Sequence, residues 1–193
     1  MKKLIGMPKE HTPKDNHLLA AFSAGTQDRI YPHLSLEFLS LGDVLYEPGQ
    51  TIHHVYFPIN SIVSMLYVME SGLSAEISKV GHEGMVGIAV IMGGGSTPSR
   101  ALVQSAGSAF SLPAAILKQE FSNDPDMRML MLRNTQALIT HMAQTAVCNR
   151  HHSIGQQLCR WLLLSIDRLP GNRLTMTQEL IANMLGVRRE GVS

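Results

Sequence analysis

The sequence predicts a mixed α and β fold: an antiparallel sandwich or barrel of short strands, then one long helix, then a helix-turn-helix. Three observations carry this. Short runs rich in β-branched and aromatic residues recur from Leu34 to about Phe110. Neither proline nor glycine then interrupts residues 126–152. Finally, Ala182, Gly186 and Val192 stand at the intervals of four and six that a helix-turn-helix needs: a small residue at the helix crossing, a glycine at the turn, an apolar return.

Ahead of the strands, Asn16-His17-Leu18-Leu19-Ala20-Ala21-Phe22 reads as a short amphipathic helix with Asn16 as its N-cap. The strand runs are Val44-Leu45-Tyr46, His54-Val55-Tyr56-Phe57, residues 62–68 and residues 75–80. Turn signals separate them at Glu47-Pro48-Gly49-Gln50, Pro58-Ile59-Asn60-Ser61, Glu70-Ser71-Gly72 and Gly81-His82-Glu83-Gly84. Asp124-Pro125-Asp126 then starts the long helix, with acids where the helix dipole favours them. Its length is about seven turns at ~3.6 residues each. Met127, Met131, Asn134, Leu138, His141, Thr145 and Cys148 recur at alternating spacings of four and three, the seam of a coiled coil. Such a seam can bury against a second copy of the chain or against the chain's own sheet; the second copy is the economical partner.

Composition sets limits on function. Only 16% of the 193 residues are charged while 45% are apolar, so much of the surface is uncharged or covered by a partner. Residues 1–149 carry 10 Lys/Arg against 12 Asp/Glu, while residues 150–193 carry Arg150, Arg160, Arg168, Arg173, Arg188 and Arg189 against three acids. The basic C-terminal piece suits a polyanion. Lys2 and Lys3 precede no apolar stretch of signal-peptide length, so a cytoplasmic protein with no membrane partner is expected. Cys148 and Cys159 form no C-x-x-C pair, His53 and His54 would point to opposite sheet faces, and Cys148 with His152 supplies only two ligands; no metal and no cofactor is expected. Gly93-Gly94-Gly95 lacks the lysine of a phosphate loop and no G-x-S-x-G elbow occurs, so no catalytic residue is named and an enzyme is not expected.

The chemistry points instead to the C-terminal stretch. Residues 158–169 form a second helix ended by Pro170-Gly171-Asn172, and the strand-like Arg173-Leu174-Thr175-Met176 leads into Thr177. Thr177 caps a helix whose buried face includes Leu180, Ile181, Met184 and Leu185. After Gly186, Arg188, Arg189 and Glu190 open the next helix, where side chains meet base edges in the major groove. Arginine can donate two hydrogen bonds to guanine, and glutamate can accept one from cytosine.

Taken together, residues 16–20, 42–49 (Gly-Asp-Val-Leu-Tyr-Glu-Pro-Gly), 55–58, 81–87 (Gly-His-Glu-Gly-Met-Val-Gly), 124–126 and 174–193 resemble the Crp/Fnr family of transcription regulators. The resemblance implies an antiparallel β-roll of the cyclic-nucleotide-binding, double-stranded β-helix type, a long dimerisation helix and a partial winged helix-turn-helix. The implied organisation is an N-terminal tail over 1–15, a sensor over 16–122, the dimerisation helix over 123–150 and an incomplete DNA-binding domain over 151–193. The implied partners are a second copy of the chain, double-stranded DNA with a palindromic operator, a small-molecule effector and, as a candidate, RNA polymerase. Carried over by position, Arg188, Arg189 and Glu190 read bases while Thr177 and Gln178 lie near phosphates. The second helix ends at Ser193 before any wing, so the sequence reads as a truncated form with low DNA affinity. A ligand-binding, dimerising module of the same ancestry that does not bind DNA is the alternative.

The effector pocket departs from the cyclic-AMP-binding pattern. The implied positions are Gly87, Ile88, Arg100, Ala101 and Met142. Arg100 matches the phosphate arginine, but Ile88 replaces the ribose glutamate and Ala101 the small hydroxyl residue. A ribose hydroxyl buried against isoleucine would cost roughly 1–3 kcal/mol. The expected effector is therefore not cyclic AMP, and Arg100 is expected either to pair with an anionic ligand or to bridge loops.

Overall fold

The structure, a computed structural model, describes residues 11–70, 74–171, 173–174 and 177–187. Asn16 anchors its N-terminal end. The Oδ1 atom accepts from the amides of Leu18 and Leu19 and so caps α1 (His17–Ala20), while Nδ2 donates to the carbonyls of Pro58 and Gly84 at 2.8 and 3.0 Å. One fully buried side chain thus starts a helix and ties it to two turns of the β-domain. Ser23 caps α2 (Ala24–Ile30) in the same manner.

Seven strands occur among the described residues: β1 (Ser35–Leu39), β2 (Val44–Tyr46), β3 (His54–Pro58), β4 (Ile62–Val68), β5 (Ser74–Val80), β6 (Ser99–Ser105) and β7 (Gly107–Pro113). They form a three-stranded sheet in the order β1-β7-β3 and a four-stranded sheet in the order β2-β6-β4-β5, with every neighbour antiparallel. The chain crosses between the sheets at Ala106, so the two close on each other as a roll around Val55, Phe57, Val63, Val103 and Leu112.

A bulge in β5 decides which side chains face outward. Met65 pairs with Ser78 but Leu66 pairs with Glu76, leaving Ile77 as an extra residue. In a regular strand, residues three apart lie on opposite faces. The extra residue cancels this, so Glu76 and Lys79 both face outward while Ile77 and Val80 join the inner core.

The helical part departs from expectation in three places. First, α3 (Ala114–Asn123) continues directly from β7, where the sequence announces no helix. Second, α4 (Pro125–His151) starts as expected, Asp124 accepting from the Met127 amide, but its seam lies on the inner side. Met127, Met131 and Cys148 are buried, and Met131 and Leu138 pack on the β-domain core. The seam therefore packs on the chain's own fold, and the outer face carries a different set: Met129, Leu132, Ile139 and Val147, all exposed. Third, α5 (Ile154–Ile166) begins four residues earlier than its apolar run suggests, because Ser153 and Gln156 form a capping box. Arg173 and Leu174 lie in no strand; Asn172, Thr175 and Met176 are outside the described residues. The last described element is α6 (Gln178–Leu185).

Candidate functional site

The inner side of the four-stranded sheet lines a cavity of about 400 Å³. Its walls are Tyr46 from β2, Met65 from β4, Ile77 and Val80 from β5, the turn Met85–Ala89, the loop from Met92 to Ser99, and Leu138, Ile139 and Met142 from α4. Gly87, with φ +103°, lets the turn enter: a Cβ there would fall 3.0 Å from Val55 Cγ1. Inside, the Tyr46 hydroxyl donates to Met65 Sδ at 3.3 Å, and burial pushes its pKa upward, so it remains a neutral phenol. Thr97 and Ser99 hydroxyls pair with each other at 2.9 Å.

Of the five pocket positions implied by resemblance, Gly87, Ile88 and Met142 line this cavity. Arg100 and Ala101 do not. Ala101 is fully buried in the core and pairs with Met65 across the inner face, which puts its neighbour Arg100, paired with Leu66, on the outer face. There the Arg100 guanidinium meets Glu47 at 2.7 Å, bridging the β2–β3 loop to β6. The arginine has a structural partner and no path to the cavity. The residues that sequence reasoning missed include Tyr46, Met65, Ile77, Thr97 and Ser99; strand alternation marks Met65 as inward, while Ile77 is turned inward by the bulge.

On the sheet's outer side the chemistry reverses. Leu66, Trp161 and Met184 form a second apolar cluster that joins α5 and α6 to the sheet. Beside it lies a buried polar network. Ser64 Oγ bridges Glu76 and Gln104 at 2.6 and 2.7 Å, Gln104 donates to Ser165 Oγ at 3.0 Å, and Lys79 Nζ donates to Ser165 Oγ at 2.9 Å. Lys79 also pairs with Glu76 at 3.3 Å and sits 4.0 Å above the Trp161 ring. Only 1% of its side chain is exposed, and burial pulls its pKa down to about 8 against the upward pull of Glu76.

Two further contacts hold the C-terminal helices. Arg168 pairs with Glu83 at 2.6 Å and packs its aliphatic stem where Gly81 has no side chain; a Cβ at Gly81 would fall 2.8 Å from Arg168 Cβ. His141, on α4, faces Arg168, Arg160 and Lys79, and burial together with those cations lowers its pKa to about 4.

Of the positions that the resemblance assigns to DNA contact, Thr177 and Gln178, expected near phosphates, are exposed, and the Thr177 hydroxyl accepts from the Leu180 amide at 3.1 Å. Arg188, Arg189 and Glu190 lie outside the described residues. Ala182 is buried, and Gly186 takes the left-handed conformation, φ +66°, that ends α6. The turn is docked: a Cβ on Gly186 would lie 3.3 Å from Ala75 Cβ, at the start of β5. Among the described residues, no group of three or more His, Cys, Asp or Glu is placed to hold a metal ion. Cys148 Sγ accepts from Gln144 at 3.3 Å. Among the described residues, no helix is long and apolar enough to cross a membrane.

No protein-family profile matches the sequence, and no curated protein does. Solved structures match well. A transcriptional regulator of the Crp/Fnr family from Eubacterium rectale superposes with a TM-score of 0.76 at 14% identity, over 93% of this chain and 84% of that one. The c-di-GMP responsive global regulator of Xanthomonas campestris gives 0.70 at 15% identity, over 88% of each chain. A CRP-family transcriptional regulator from Thermus thermophilus gives 0.68 at 15% identity, over 81% of this chain and 80% of that one. The β-roll, the long helix and the helices after it therefore make up the fold of the Crp/Fnr transcription regulators.

Proposed function

We propose that this chain is a cytoplasmic, ligand-responsive transcription regulator of the Crp/Fnr type and not an enzyme. The observation that carries the reading is a continuous mechanical path. A cavity in the β-roll has α4 as one wall, and α4 leads directly into α5 and the helix-turn-helix start at α6. In this reading α4 pairs with a second copy through Met129, Leu132, Ile139 and Val147, large apolar side chains exposed along one side of the helix. Arg188, Arg189 and Glu190 read base edges of a palindromic operator, Thr177 and Gln178 approach phosphates, and RNA polymerase is the candidate partner at the promoter.

A gel-shift against genomic fragments at graded salt tests this. Binding that weakens steeply with salt, and that R188A and R189A reduce, is expected. Absence of salt-sensitive binding to every fragment would overturn it.

One observation favours a second reading. The turn at Gly186 is packed on Ala75, so α6 and the turn that ends it are held on the β-roll. A ligand-binding, dimerising module that does not engage DNA would keep this arrangement permanently. The same gel-shift, combined with the mass of the protein in solution, separates the two: a dimer without DNA binding supports the module.

A further inference from the structure

We infer that the β-roll cavity takes a neutral, mostly apolar small molecule with one hydroxyl or carbonyl end, and not an anion. This rests on the reading of the β-roll as a sensor, and its support is the chemistry of the cavity's walls. Among the described residues, no charged side chain lines the space. Its walls are mostly aliphatic and thioether side chains, with Met65, Met85, Met92 and Met142 contributed by four different segments. Methionine is unbranched and polarisable, so these four can repack around apolar ligands of differing shape.

The two cations next to lining residues in sequence both face elsewhere, Lys79 into the outer network with Glu76 and Ser165. Arg100 points to the other side of the sheet and is held by Glu47 at 2.7 Å, so an anionic ligand would be buried with no counter-charge, which is prohibitive in an apolar enclosure. The polar groups that do face the cavity are weak and neutral. Thr97 and Ser99 bond to each other and Thr97 Oγ1 also accepts from the Ser99 amide, which leaves capacity for one more partner on Thr97 and two on Ser99, enough to orient a single hydroxyl or carbonyl. The Tyr46 hydroxyl gives its proton to Met65 and keeps only acceptor capacity. At about 400 Å³, the space lies within the ~300–1,000 Å³ of small-molecule sites. Met92, exposed on the glycine-rich loop, lines it too and marks the entrance.

The test is a fluorescence titration of the full chain with N-phenyl-1-naphthylamine, a neutral apolar fluorophore. Saturable enhancement is expected, displaced by 1-decanol but not by decanoate or cyclic AMP. Two variants narrow the cavity from opposite walls, A89W on the turn and M142W on α4, and either should weaken the probe by about tenfold or more. Circular dichroism verifies that each variant is folded, and the one that folds carries the comparison. R100Q should leave the titration unchanged. Displacement of the probe by cyclic AMP or decanoate at micromolar concentration would overturn the inference, as would probe binding that both folded variants retain. Loss of DNA binding in the gel-shift would leave this result standing, so failure of the regulator reading and failure of the ligand class are distinguishable.

Discussion

The two faces of the four-stranded sheet are both buried in apolar contacts, and the outer one alone adds a buried polar network. The inner face presents Met65, Ile77 and Val80 to a cavity without a charge on its described walls. The outer face, one residue away along the same strands, presents Ser64, Glu76, Lys79 and Gln104 to α5. Apolar contacts tolerate many geometries because they lack direction. A buried lysine with a carboxylate, a hydroxyl and an indole as partners is satisfied in one geometry only, since each unpaired group would carry a desolvation cost. The sheet can thus adapt on the cavity side while holding the C-terminal helices in a fixed register on the other.

The sharpest way to break this contrast is Lys79→Met. It leaves Glu76 buried without its cation and should cost about 3–5 kcal/mol in urea unfolding, with most of the loss recovered in the Lys79→Met/Glu76→Leu double variant. A neutral single variant would show that the outer face is not held by charge. Next is Gly81→Ala, which sets a methyl against the Arg168 stem at 2.8 Å and should cost about 1–3 kcal/mol.

The pH dependence sharpens the comparison further. His141 has a folded pKa near 4 and an ordinary value of 6.5, so between those values the unfolded chain binds the extra proton. Stability is therefore complete above pH 6.5 and is lost as pH falls toward 4. Because His141 is only partly buried, the change is on the order of 1–2 kcal/mol. A pH series of melting curves should show that His141→Gln flattens this window. The smallest effect is expected at Thr177→Ala, which removes the α6 cap and costs about 1 kcal/mol, seen as faster amide exchange in α6 with the β-roll unchanged.

Much of the fold was legible in the sequence because punctuation and period are local signals. Asn16, Asp124, Thr177 and Gly186 each occupy the cap or turn assigned from residue type and spacing. The burial of the α4 seam was not legible: a four-three pattern shows that one face is apolar, and it carries no information about which surface covers it. Arg100 was left between an anionic ligand and a bridge between loops for a related reason. Matching by position does not see strand parity, which turns Arg100 to the face where Glu47 meets it. The outer network was invisible because Ser64, Lys79 and Gln104 are ordinary surface residues until α5 covers them.

The bulge at Ile77 has an evolutionary consequence. Inserting a single residue in β4, between Met65 and Leu66, would make the β4–β5 ladder regular, move the bulge to the β4–β6 ladder and turn Glu76 from the helices toward the cavity. One codon would then place an acid in the cavity and remove it from the face that holds α5. The polarity of the cavity and the attachment of the C-terminal helices are thus coupled through one register.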